Sequence, residues 1–249
     1  MAPKFTGKLF ITGKIRAVTG LHIGGSKAAL DIGGIDLNVI KTAIGKVPFI
    51  PGSSLKGKLR TLLAREVGSI AVSAKQLKGA PGIHDMSPEA IYISEIFGFP
   101  GDAENETEVP TRLLVRDAFL DTYGFEKTFS EADLTDEYTE EKWENTINRR
   151  TGTAEHPRQL ERVPAGADFD FVMIYNVYDD GKKDAHIKHI RRAMRILEED
   201  YLGGQGSRGY GAIEFVDVEL SERTVEDYEA NNSRKVVEAD FLGKKAKTS

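Results

Sequence analysis

Four stretches of the chain alternate apolar and polar residues or are rich in β-branched and aromatic side chains, and each pattern predicts a β-strand. They are residues 5–19, 112–120, 169–178 and 212–220. Two other stretches repeat apolar residues at helical spacing. The first predicted helix has Ser53 as its N-cap and ends at Gly68, and the second covers residues 184–201.

The order of these elements is strand, helix, strand, strand, helix, strand, so we expect an α+β domain with the β-α-β-β-α-β topology of a ferredoxin-like fold. RNA-recognition domains share this topology. We call the core of this single domain the palm and expect it at about 5–67, 112–120 and 168–220. A tail follows at about 221–249, and we expect its polar, lysine-rich part after residue 230 to be frayed.

Two long insertions interrupt the palm, at about 68–111 and 121–167. The first contains a predicted short helix at 88–97 and then an acidic loop at 98–110. The second is polar, with a predicted helix around 137–147. Insertions of this length in a compact domain are more often functional than idle, so both are candidates for binding surfaces.

The composition narrows the class of protein. Hydrophobic residues make up 40% of the 249 residues, enough for a sizeable core, and no run approaches the ~20 apolar residues of a membrane span. The chain has no cysteine, which excludes disulfides, thiolate zinc sites and a cysteine nucleophile. The N-terminus lacks the apolar region and cleavage site of a secretory signal. We therefore expect a cytoplasmic protein with no membrane partner.

Charge is unevenly distributed along the chain. The formal net charge of −5 argues by itself against a nucleic-acid partner. Residues 1–65, however, carry eleven Lys and Arg and two Asp, whereas residues 66–147 carry six Lys and Arg and eighteen Asp and Glu. Because a phosphate-binding surface is a local property, the basic segment can bind RNA within an acidic chain. Ordinary scatter of charge on a solvated surface is the alternative explanation.

A glycine-rich segment, GGQGSRGYG at 203–211, separates the second predicted helix from the last strand. It contains the spacing G-x-G-x-x-G at Gly204, Gly206 and Gly209. The segment follows a helix and precedes a strand, which is the reverse of a dinucleotide-binding loop, so the spacing does not indicate a nucleotide-cofactor enzyme. Bare main chain next to Ser207 and Arg208 favours contact with a phosphate backbone. A simple turn is the alternative, but it needs only one or two glycines.

The segment PGSSLKGKLR, at the start of the first predicted helix, is a second candidate phosphate site. The hydroxyls of Ser53 and Ser54 are expected beside free main-chain amides, where the helix dipole favours an anion. Lys56 and Lys58 add positive charge, and Arg60 lies one helical turn past Lys56 on a similar face. Residues 37–65 contain six Lys and Arg and no acidic residue, which favours nucleic acid over a merely solvated helix.

A third segment, residues 20–36, is rich in glycine and carries His22, Asp31 and Asp36. His22 is a candidate RNA contact or general acid or base, although a lone histidine is more often structural. A carboxylate on a phosphate-binding surface repels its ligand, unless it holds a divalent metal ion or orients an attacking 2′-hydroxyl. Capping of the loop is the alternative role, and residue chemistry alone does not choose between the two aspartates.

The end of the second insertion is rich in arginine. Its four arginines are Arg149, Arg150, Arg158 and Arg162. A projecting β-arm with these side chains is suited to clamp nucleic acid or a neighbouring subunit, and a solvated hairpin is the alternative. We expect Trp143, the one tryptophan, to pack against the protein rather than to stack on a base.

Two histidines on the second predicted helix are spaced as a metal pair would be. His186 and His189 are three residues apart and face the same side of a helix. Three neighbouring cations, Lys188, Arg191 and Arg192, make a metal cation unfavourable there, so we assign no metal to this pair.

Taken together, these segments resemble a known family. The motifs are TGLHIGG at 19–25, GGID at 33–36, IPGSSLKGKLR at 50–60, the INRRTGTA and ERVPAGA stretch within 147–167, and GGQGSRGYG at 203–211. They are similar to motifs of the backbone subunit of type III-A CRISPR (Csm) complexes, a family of the RAMP, or repeat-associated mysterious protein, superfamily. They recur in order over most of the chain, whereas residues 68–111 and the tail add little.

The resemblance implies a fold and an activity. Family members have a ferredoxin-like palm with large insertions that form a thumb and a helical lid, and they stack as a filament on CRISPR RNA. Each thumb kinks the guide–target duplex at regular intervals, where a loop aspartate supports metal-dependent cleavage of target RNA. By motif position this aspartate is Asp36 rather than Asp31, so the resemblance implies Asp36 as the catalytic residue and a ligand of a divalent metal ion, Mg²⁺.

The resemblance also implies RNA contacts. The GSSLKG helix start and the glycine-rich loop hold guide RNA in the family, which corresponds here to Ser53, Ser54, Lys56 and residues 203–211. His22 lies in the first glycine-rich motif and is likewise expected to contact RNA. Residue chemistry adds Arg60 and Arg150 to the expected set.

The expected partners are CRISPR RNA, single-stranded target RNA, further copies of the chain in a filament and other Csm subunits. Two hypotheses stay open. The chain is either an endoribonuclease subunit that cuts guide-paired target RNA at regular intervals or an RNA-binding scaffold without chemistry of its own. The sequence has no evident His, Asp and Glu cluster of metal-ligand type, which keeps the scaffold hypothesis open.

Overall fold

The computed structural model describes residues 3–24, 37–68, 88–98, 111–132 and 134–244. In chain order the strands are β1 (Phe5–Ala17), β2 (Phe49–Ile50), β3 (Leu113–Val115), β4 (Ala118–Leu120), β5 (Glu140–Ile147), β6 (Ala154–Arg162), β7 (Asp168–Tyr178), β8 (Ile213–Thr224) and β9 (Lys235–Glu238). The helices are α1 (Gly52–Glu66), α2 (Pro88–Phe97), α3 (Thr122–Phe129), α4 (Lys183–Glu198) and α5 (Val225–Glu229). Among these helices, none is both long enough and apolar enough to cross a membrane.

The main sheet is antiparallel, with the order β2-β4-β7-β1-β8-β9 and with β3 also paired to β7. Strand β1 lies at its centre and pairs with both β7 and β8. Together with α1 and α4, the order β4-β7-β1-β8 is that of the ferredoxin-like fold, so the predicted fold class is confirmed. The stretch predicted as one strand at 112–120 is divided into β3 and β4, because Asp117 between them turns its carboxylate to α1.

The core lies between the sheet and helices α1 and α4. Every second residue of β7 is buried, at Phe169, Phe171, Met173, Tyr175 and Val177. The predicted apolar stripe of α1 is buried as well, at Leu55, Leu59, Leu62 and Leu63. Alternation in a strand and helical spacing in α1 place these side chains on the two facing surfaces, which is why the sequence pattern located these elements correctly.

The start of α1 differs from the prediction. Pro51, not Ser53, is the N-cap, and Gly52 is the first helical residue. The amide of Gly52 donates to Oδ1 of Asp117 at 2.7 Å, so a carboxylate from another strand connection caps the helix. A β-carbon on Gly52 would overlap the carbonyl oxygen of Val115, which explains the glycine at this position.

The second insertion does not contain the predicted helix at 137–147. Residues 140–147 form β5, which pairs with β6 in a separate two-stranded sheet, the β5–β6 hairpin. The preceding residues form α3, capped by the carboxylate of Asp121, which accepts from the amide of Gly124 at 2.9 Å. The hairpin register shifts where β6 contains Pro157, which has no amide to donate to the ladder.

The prediction of a frayed tail is wrong for the part of the tail that the structure describes. After β8 the chain forms α5 and then β9, which extends the main sheet. Phe241 and Leu242 are buried beneath α4, and Arg195 donates to the carbonyl of Leu242. Apolar contact with the core therefore orders a segment whose local composition is polar.

Helix α2, in the first insertion, is attached to the palm by a buried polar network. Glu95 lies 3.1 Å from Nε2 of His186 and 2.5 Å from Nζ of Lys182. His186 in turn lies 2.8 Å from the hydroxyl of Tyr175, which accepts from Arg112. Burial alone would raise the pKa of Glu95, but the hydrogen bonds from His186 and Lys182 outweigh it and the pKa lies below its ordinary value. The glutamate is therefore a buried ionised anchor, and His186 has a structural role.

Candidate nucleic-acid interface

The two glycine-rich segments of the sequence lie directly against each other. The amide of Gly204 donates to the carbonyl of His22 at 2.8 Å, and the amide of Gly211 donates to the carbonyl of Gly20 at 3.0 Å. The turn after α4 is thus paired main chain to main chain with the segment after β1, although about 180 residues separate them in the sequence.

Helix α1 completes this cleft. A pocket of about 460 Å³ is lined by Ile23, Gly24, Ser54, Lys58, Thr61, Leu202, Gly203 and Gly204. The three segments singled out as phosphate-binding therefore share one surface, which we call the glycine groove and define as residues 19–24, 52–61 and 201–211. The volume of this pocket lies in the range of small-ligand sites, and the pocket is open on the side where a nucleic-acid strand would pass.

Three of the glycines are required by close packing. Gly203 has φ +81°, and a β-carbon there would overlap the carbonyl oxygen of His22. A β-carbon on Gly206 would overlap the ring of Tyr201. At Gly203, Gly206 and Gly211 a side chain is excluded because main chain or a ring already fills the space, whereas a β-carbon at Gly204 or Gly209 would meet no close atom.

Lys58 is the cation of α1 that faces the pocket. Its ammonium lies 3.3 Å from Oδ2 of Asp200 and 3.7 Å from the centre of the Tyr201 ring. Sequence reasoning missed Asp200 and Tyr201, because nothing in their local pattern shows that the end of α4 meets the start of α1. Ser54 lies on the same side of the helix, whereas Ser53 is exposed and does not line the pocket.

Lys56 and Arg60 lie on the other side of α1. Lys56 is two positions from Lys58, about 200° around the helix, and does not line the pocket. Burial, with a smaller contribution from Arg60, lowers the pKa of Lys56, and burial also lowers the pKa of Arg60. Neither cation has a carboxylate partner among the residues that the structure describes. A polyanion along this side would stabilise both charges.

His22 is buried behind the glycines of the groove and does not line its pocket. Its side chain is only 5% exposed, and its Nδ1 lies 2.7 Å from the carbonyl oxygen of Glu161 in β6. The ring packs against Gly204, whose β-carbon position would lie 3.5 Å from Cδ2. The imidazole is thus fixed by main chain on both sides and has little freedom to reorient.

The outer part of the glycine-rich turn faces the hairpin. Ser207, Arg208 and Gly209 are exposed, as a contact surface requires. The guanidinium of Arg208 lies 3.2 Å from a carboxylate oxygen of Glu144 in β5 and 3.1 Å from Gln205. Arg208 therefore contacts the hairpin through Glu144.

The four arginines that were predicted to form one patch lie in two separate places on the hairpin. Arg158 and Arg162 pair with Glu144 and Glu140 across the hairpin, at 3.7 and 2.7 Å. Arg149 and Arg150 are exposed at the hairpin turn, where the amide of Arg150 donates to Asn148. Positive charge on this arm is thus concentrated at its tip.

The packing role predicted for Trp143 is wrong. Its side chain is 63% exposed, and Ile147, on the same face of β5, is 56% exposed. The opposite face of β5 carries Lys142 and Glu144, which contact Tyr210 and Arg208 of the glycine groove. The hairpin therefore rests on the groove by its charged face and leaves its apolar face uncovered by the described residues.

The two candidate aspartates, Asp31 and Asp36, lie outside the described residues. Within the described parts of the chain, no group of three or more His, Asp or Glu side chains is arranged to hold a metal ion.

Comparison with known proteins identifies relatives over nearly the whole chain. The model of the RAMP superfamily matches residues 14–214. The chain is 43% identical to the CRISPR system Cms endoribonuclease Csm3 of Methanocaldococcus jannaschii over 231 residues, which are 92% of this chain and 87% of that protein. It is 41% identical over 225 residues to the protein of the same name from Enterococcus italicus, covering 90% of this chain and 97% of the relative.

A solved structure agrees with this similarity. The crystal structure of a Csm3–Csm4 subcomplex in the type III-A CRISPR-Cas interference complex contains a chain that matches with a TM-score of 0.57 and 32% identity. The match covers 94% of this chain and 90% of that one. Both the palm and the insertions thus lie within the region of similarity.

Proposed function

This chain belongs to the Csm3 family of the RAMP superfamily, and on that premise we propose that it is an endoribonuclease subunit of a type III-A CRISPR effector complex. It binds CRISPR RNA and cleaves target RNA paired to that guide at regular intervals. Relatives with about two fifths of their residues in common with this chain are named as endoribonucleases, and their similarity extends along nine tenths of it.

The observation that carries this proposal is the convergence of three segments in the glycine groove. Glycine-rich main chain from the segment after β1 and from the turn after α4 meets the pocket side of α1 at one surface. Lys56 and Arg60, which have no acidic partner in the described residues, continue the surface along the other side of α1. Bare main chain beside unpaired cations is suited to a phosphate backbone, and the net charge of the whole chain does not oppose it.

We assign the proposed cleavage to Asp36. A carboxylate at that position would help to align or deprotonate the 2′-hydroxyl that attacks the neighbouring phosphate. A divalent metal ion, Mg²⁺, would neutralise charge on the phosphate. The groove residues contribute by binding the guide strand and fixing its path, so that the target strand is presented in one register.

The proposed partners follow from the same family. The Csm3 chain that this one resembles was solved together with Csm4, so we propose that other Csm subunits contact this chain. We further propose that copies of the chain stack along CRISPR RNA in a cytoplasmic filament, with each thumb, the β5–β6 hairpin, against the guide–target duplex. The exposed arginines at the hairpin tip and the exposed face with Trp143 are suited to that contact.

The test is Asp36→Ala in the complex assembled with CRISPR RNA, with Asp31→Ala as the matched control. Asp36→Ala is expected to slow target cleavage by about 10²-fold or more and to leave target binding unchanged. Asp31→Ala is expected to cleave at the same sites as the unmodified complex. Chelation of Mg²⁺ with EDTA is expected to stop cleavage in both complexes.

Each outcome distinguishes the hypotheses. Unchanged cleavage by the Asp36→Ala complex would remove this residue from the reaction. An unmodified complex that binds target RNA but does not cut it with Mg²⁺ present would favour the non-catalytic scaffold. A complex that does not retain RNA at all would contradict both.

A further inference from the structure

The main sheet ends in a strand whose outer edge is open. Strand β9 pairs with β8 on one side, and no strand of the described residues pairs with it on the other. Val236 and Val237 at its centre are 58% and 56% exposed. Proteins often protect the edge of a sheet with charged side chains or proline, and the two central positions of β9 carry neither. This edge can therefore accept a further strand.

A second cavity lies beside this edge, between α4 and the sheet. We call it the edge groove and define it as Leu9 and residues 183–195, 220–222 and 237–238. Its volume is about 620 Å³, and it shares no lining residue with the pocket of the glycine groove. Its apolar floor is formed by Leu9, Ile187, Leu220 and Val237. An apolar side chain from a strand added to β9 would pack on this floor beside Val237.

The side of the edge groove formed by α4 is basic. Five cations and three carboxylates line the groove. Three of the cations are paired, Lys183 with Glu222 at 3.7 Å, Arg191 with Glu238 at 2.5 Å and Arg192 with Glu66 at 2.9 Å. Lys188 and Arg195 are exposed and form no ion pair with a carboxylate of the described residues. Asp184 is the one carboxylate of the groove that is likewise unpaired within the described residues, so a positive surplus remains.

Helix α4 runs alongside the segment that contains β9. Three contacts follow the same order along both, because Lys183 pairs with Glu222, the β8 partner of Lys235, while Arg191 pairs with Glu238 and Arg195 donates to the carbonyl of Leu242. Lys188 and Arg195 are seven residues apart, about 10 Å along one face of the helix. Residues four positions apart on one face of a strand are about 13 Å apart, a distance that two flexible cationic side chains can match.

These features favour one kind of occupant. A nucleic-acid strand would use the cations but neither the open main-chain edge nor the apolar floor. A second copy of this chain that paired through its own β9 would bring two basic α4 surfaces together. The last residues of the chain, KKAKTS at 244–249, are basic as well and do not complement the groove. An extended peptide with acidic side chains uses all three features.

We propose that the edge groove docks an extended segment of another protein, which adds a strand to β9 and presents the pattern acidic-x-apolar-x-acidic to α4. The apolar residue packs on Val237 and the floor of the groove, and the two carboxylates pair with Lys188 and Arg195. Main-chain hydrogen bonds to β9 fix the register of the segment. Because the site uses no residue of the glycine groove, a protein partner can dock while the proposed RNA-binding surface stays accessible.

The probe is the peptide SETVTES with blocked ends, in which Glu, Val and Glu carry the proposed pattern. Its binding to the full-length chain is measured by fluorescence anisotropy. Two N-methylated forms separate strand addition from charge attraction, one methylated at the Glu and Val amides and the other at the two Thr amides. Alternate residues of a strand direct their amides to opposite edges. We therefore expect one form to bind about 10-fold more weakly or worse and the other to bind like the parent peptide.

The informative variant is Lys188→Glu, with Lys127→Glu in α3 as its matched control. Lys127 is also exposed, but it does not line the edge groove, and the two variants change the net charge equally. We expect Lys188→Glu to bind SETVTES roughly 3- to 10-fold more weakly and to bind the charge-reversed peptide SKTVTKS more tightly than the unmodified chain does. Lys127→Glu is expected to leave both affinities unchanged. Unaltered thermal midpoints show that both variants are folded.

Four results would overturn the inference. The first is failure of the unmodified chain to bind SETVTES at millimolar concentration. The second is an equal effect of the two N-methylated forms, because charge alone would then explain binding. The third is an equal effect of Lys188→Glu and Lys127→Glu on the affinity for the peptide.

The fourth is a larger loss of RNA affinity from Lys188→Glu than from Lys127→Glu, which would assign the edge groove to nucleic acid. None of these four results concerns cleavage by Asp36. A failure of this inference is therefore distinguishable from a failure of the proposed function.

Discussion

The glycine groove and the β5–β6 hairpin are both rich in residues that suit nucleic acid, but they are stabilised in different ways. In the groove, main chain packs on main chain, and a β-carbon at Gly203 or Gly211 would overlap a carbonyl oxygen. In the hairpin, side chains pair across the strands, and the turn glycine Gly152 faces open space. One surface is built by long-range packing and the other by local pairing.

The two regions also differ in how their positively charged side chains are paired. On the side of α1 that faces away from the pocket, Lys56 and Arg60 have no carboxylate partner among the described residues, whereas Lys58 in the pocket pairs with Asp200 and Arg158 in the hairpin pairs with Glu144. An unpaired, half-buried cation is unfavourable in the free protein and becomes favourable next to a phosphate. The comparison indicates that the outer side of α1 carries the cations that a polyanion would stabilise, while the charges of the pocket and of most of the hairpin are already paired.

The largest effect, on the stability of the fold, is expected when alanine replaces one of two glycines with positive φ, Gly203 or Gly152. Both residues would be strained as alanine, at φ +81° and +74°, but only Gly203→Ala also forces a β-carbon into the carbonyl of His22. We expect Gly203→Ala to lower the free energy of unfolding by about 3 kcal/mol and Gly152→Ala by about 1 kcal/mol. Equilibrium urea denaturation measures both, and equal losses would show that the groove has no special packing requirement.

A smaller effect, on binding, is expected from Lys56→Ala with Arg158→Ala as its control. Lys56 has no acidic partner in the described residues, so its removal is expected to weaken RNA binding by about 1 kcal/mol and to reduce the salt slope by about 0.7. Arg158 lies 3.7 Å from Glu144, and its removal is expected to change affinity little. Anisotropy titrations at several salt concentrations test this, and a larger loss from Arg158→Ala would reverse the comparison.

The smallest effect is expected where the two regions touch. Glu144 contacts Arg208 of the groove at 3.2 Å and also pairs with Arg158. Glu144→Gln is expected to release Arg208 and to strengthen RNA binding by a few tenths of a kcal/mol, about 2-fold at most, at low salt. Glu140→Gln is the control, because Glu140 pairs with Arg162 and not with Arg208. Unchanged or weaker binding by Glu144→Gln would place Arg208 outside the RNA-binding surface.

The palm was predictable because its elements bury one face. Strands β1, β7 and β8 alternate apolar and polar residues, and α1 repeats leucine at helical spacing. Such patterns follow from the period of each element and need no knowledge of the partner surface. The start of α1 was misplaced because its cap, Asp117, comes from a distant part of the chain.

The hairpin was mispredicted because neither of its faces is buried against the core along its full length. On one face of strand β5 the exposed Trp143 and Ile147 alternate with Glu141 and Asn145, and the other face is charged, so no clear period of two is visible in its hydrophobicity. Trp143 was expected to pack because most tryptophans do, and only the fold shows that no described element covers it. The tail was misjudged for the opposite reason, since two buried residues, Phe241 and Leu242, pack a mostly polar segment against the core.

By itself, the sequence determined the ferredoxin-like order of elements, the family and the three segments that carry its motifs, because these depend on local periodicity and on residue identity. Only the tertiary structure decided that Gly203 packs on the carbonyl of His22 and that Lys58 and not Lys56 faces the pocket. These are contacts between segments far apart in the chain. Their geometry follows from how the sheet and helices pack, which no local pattern encodes.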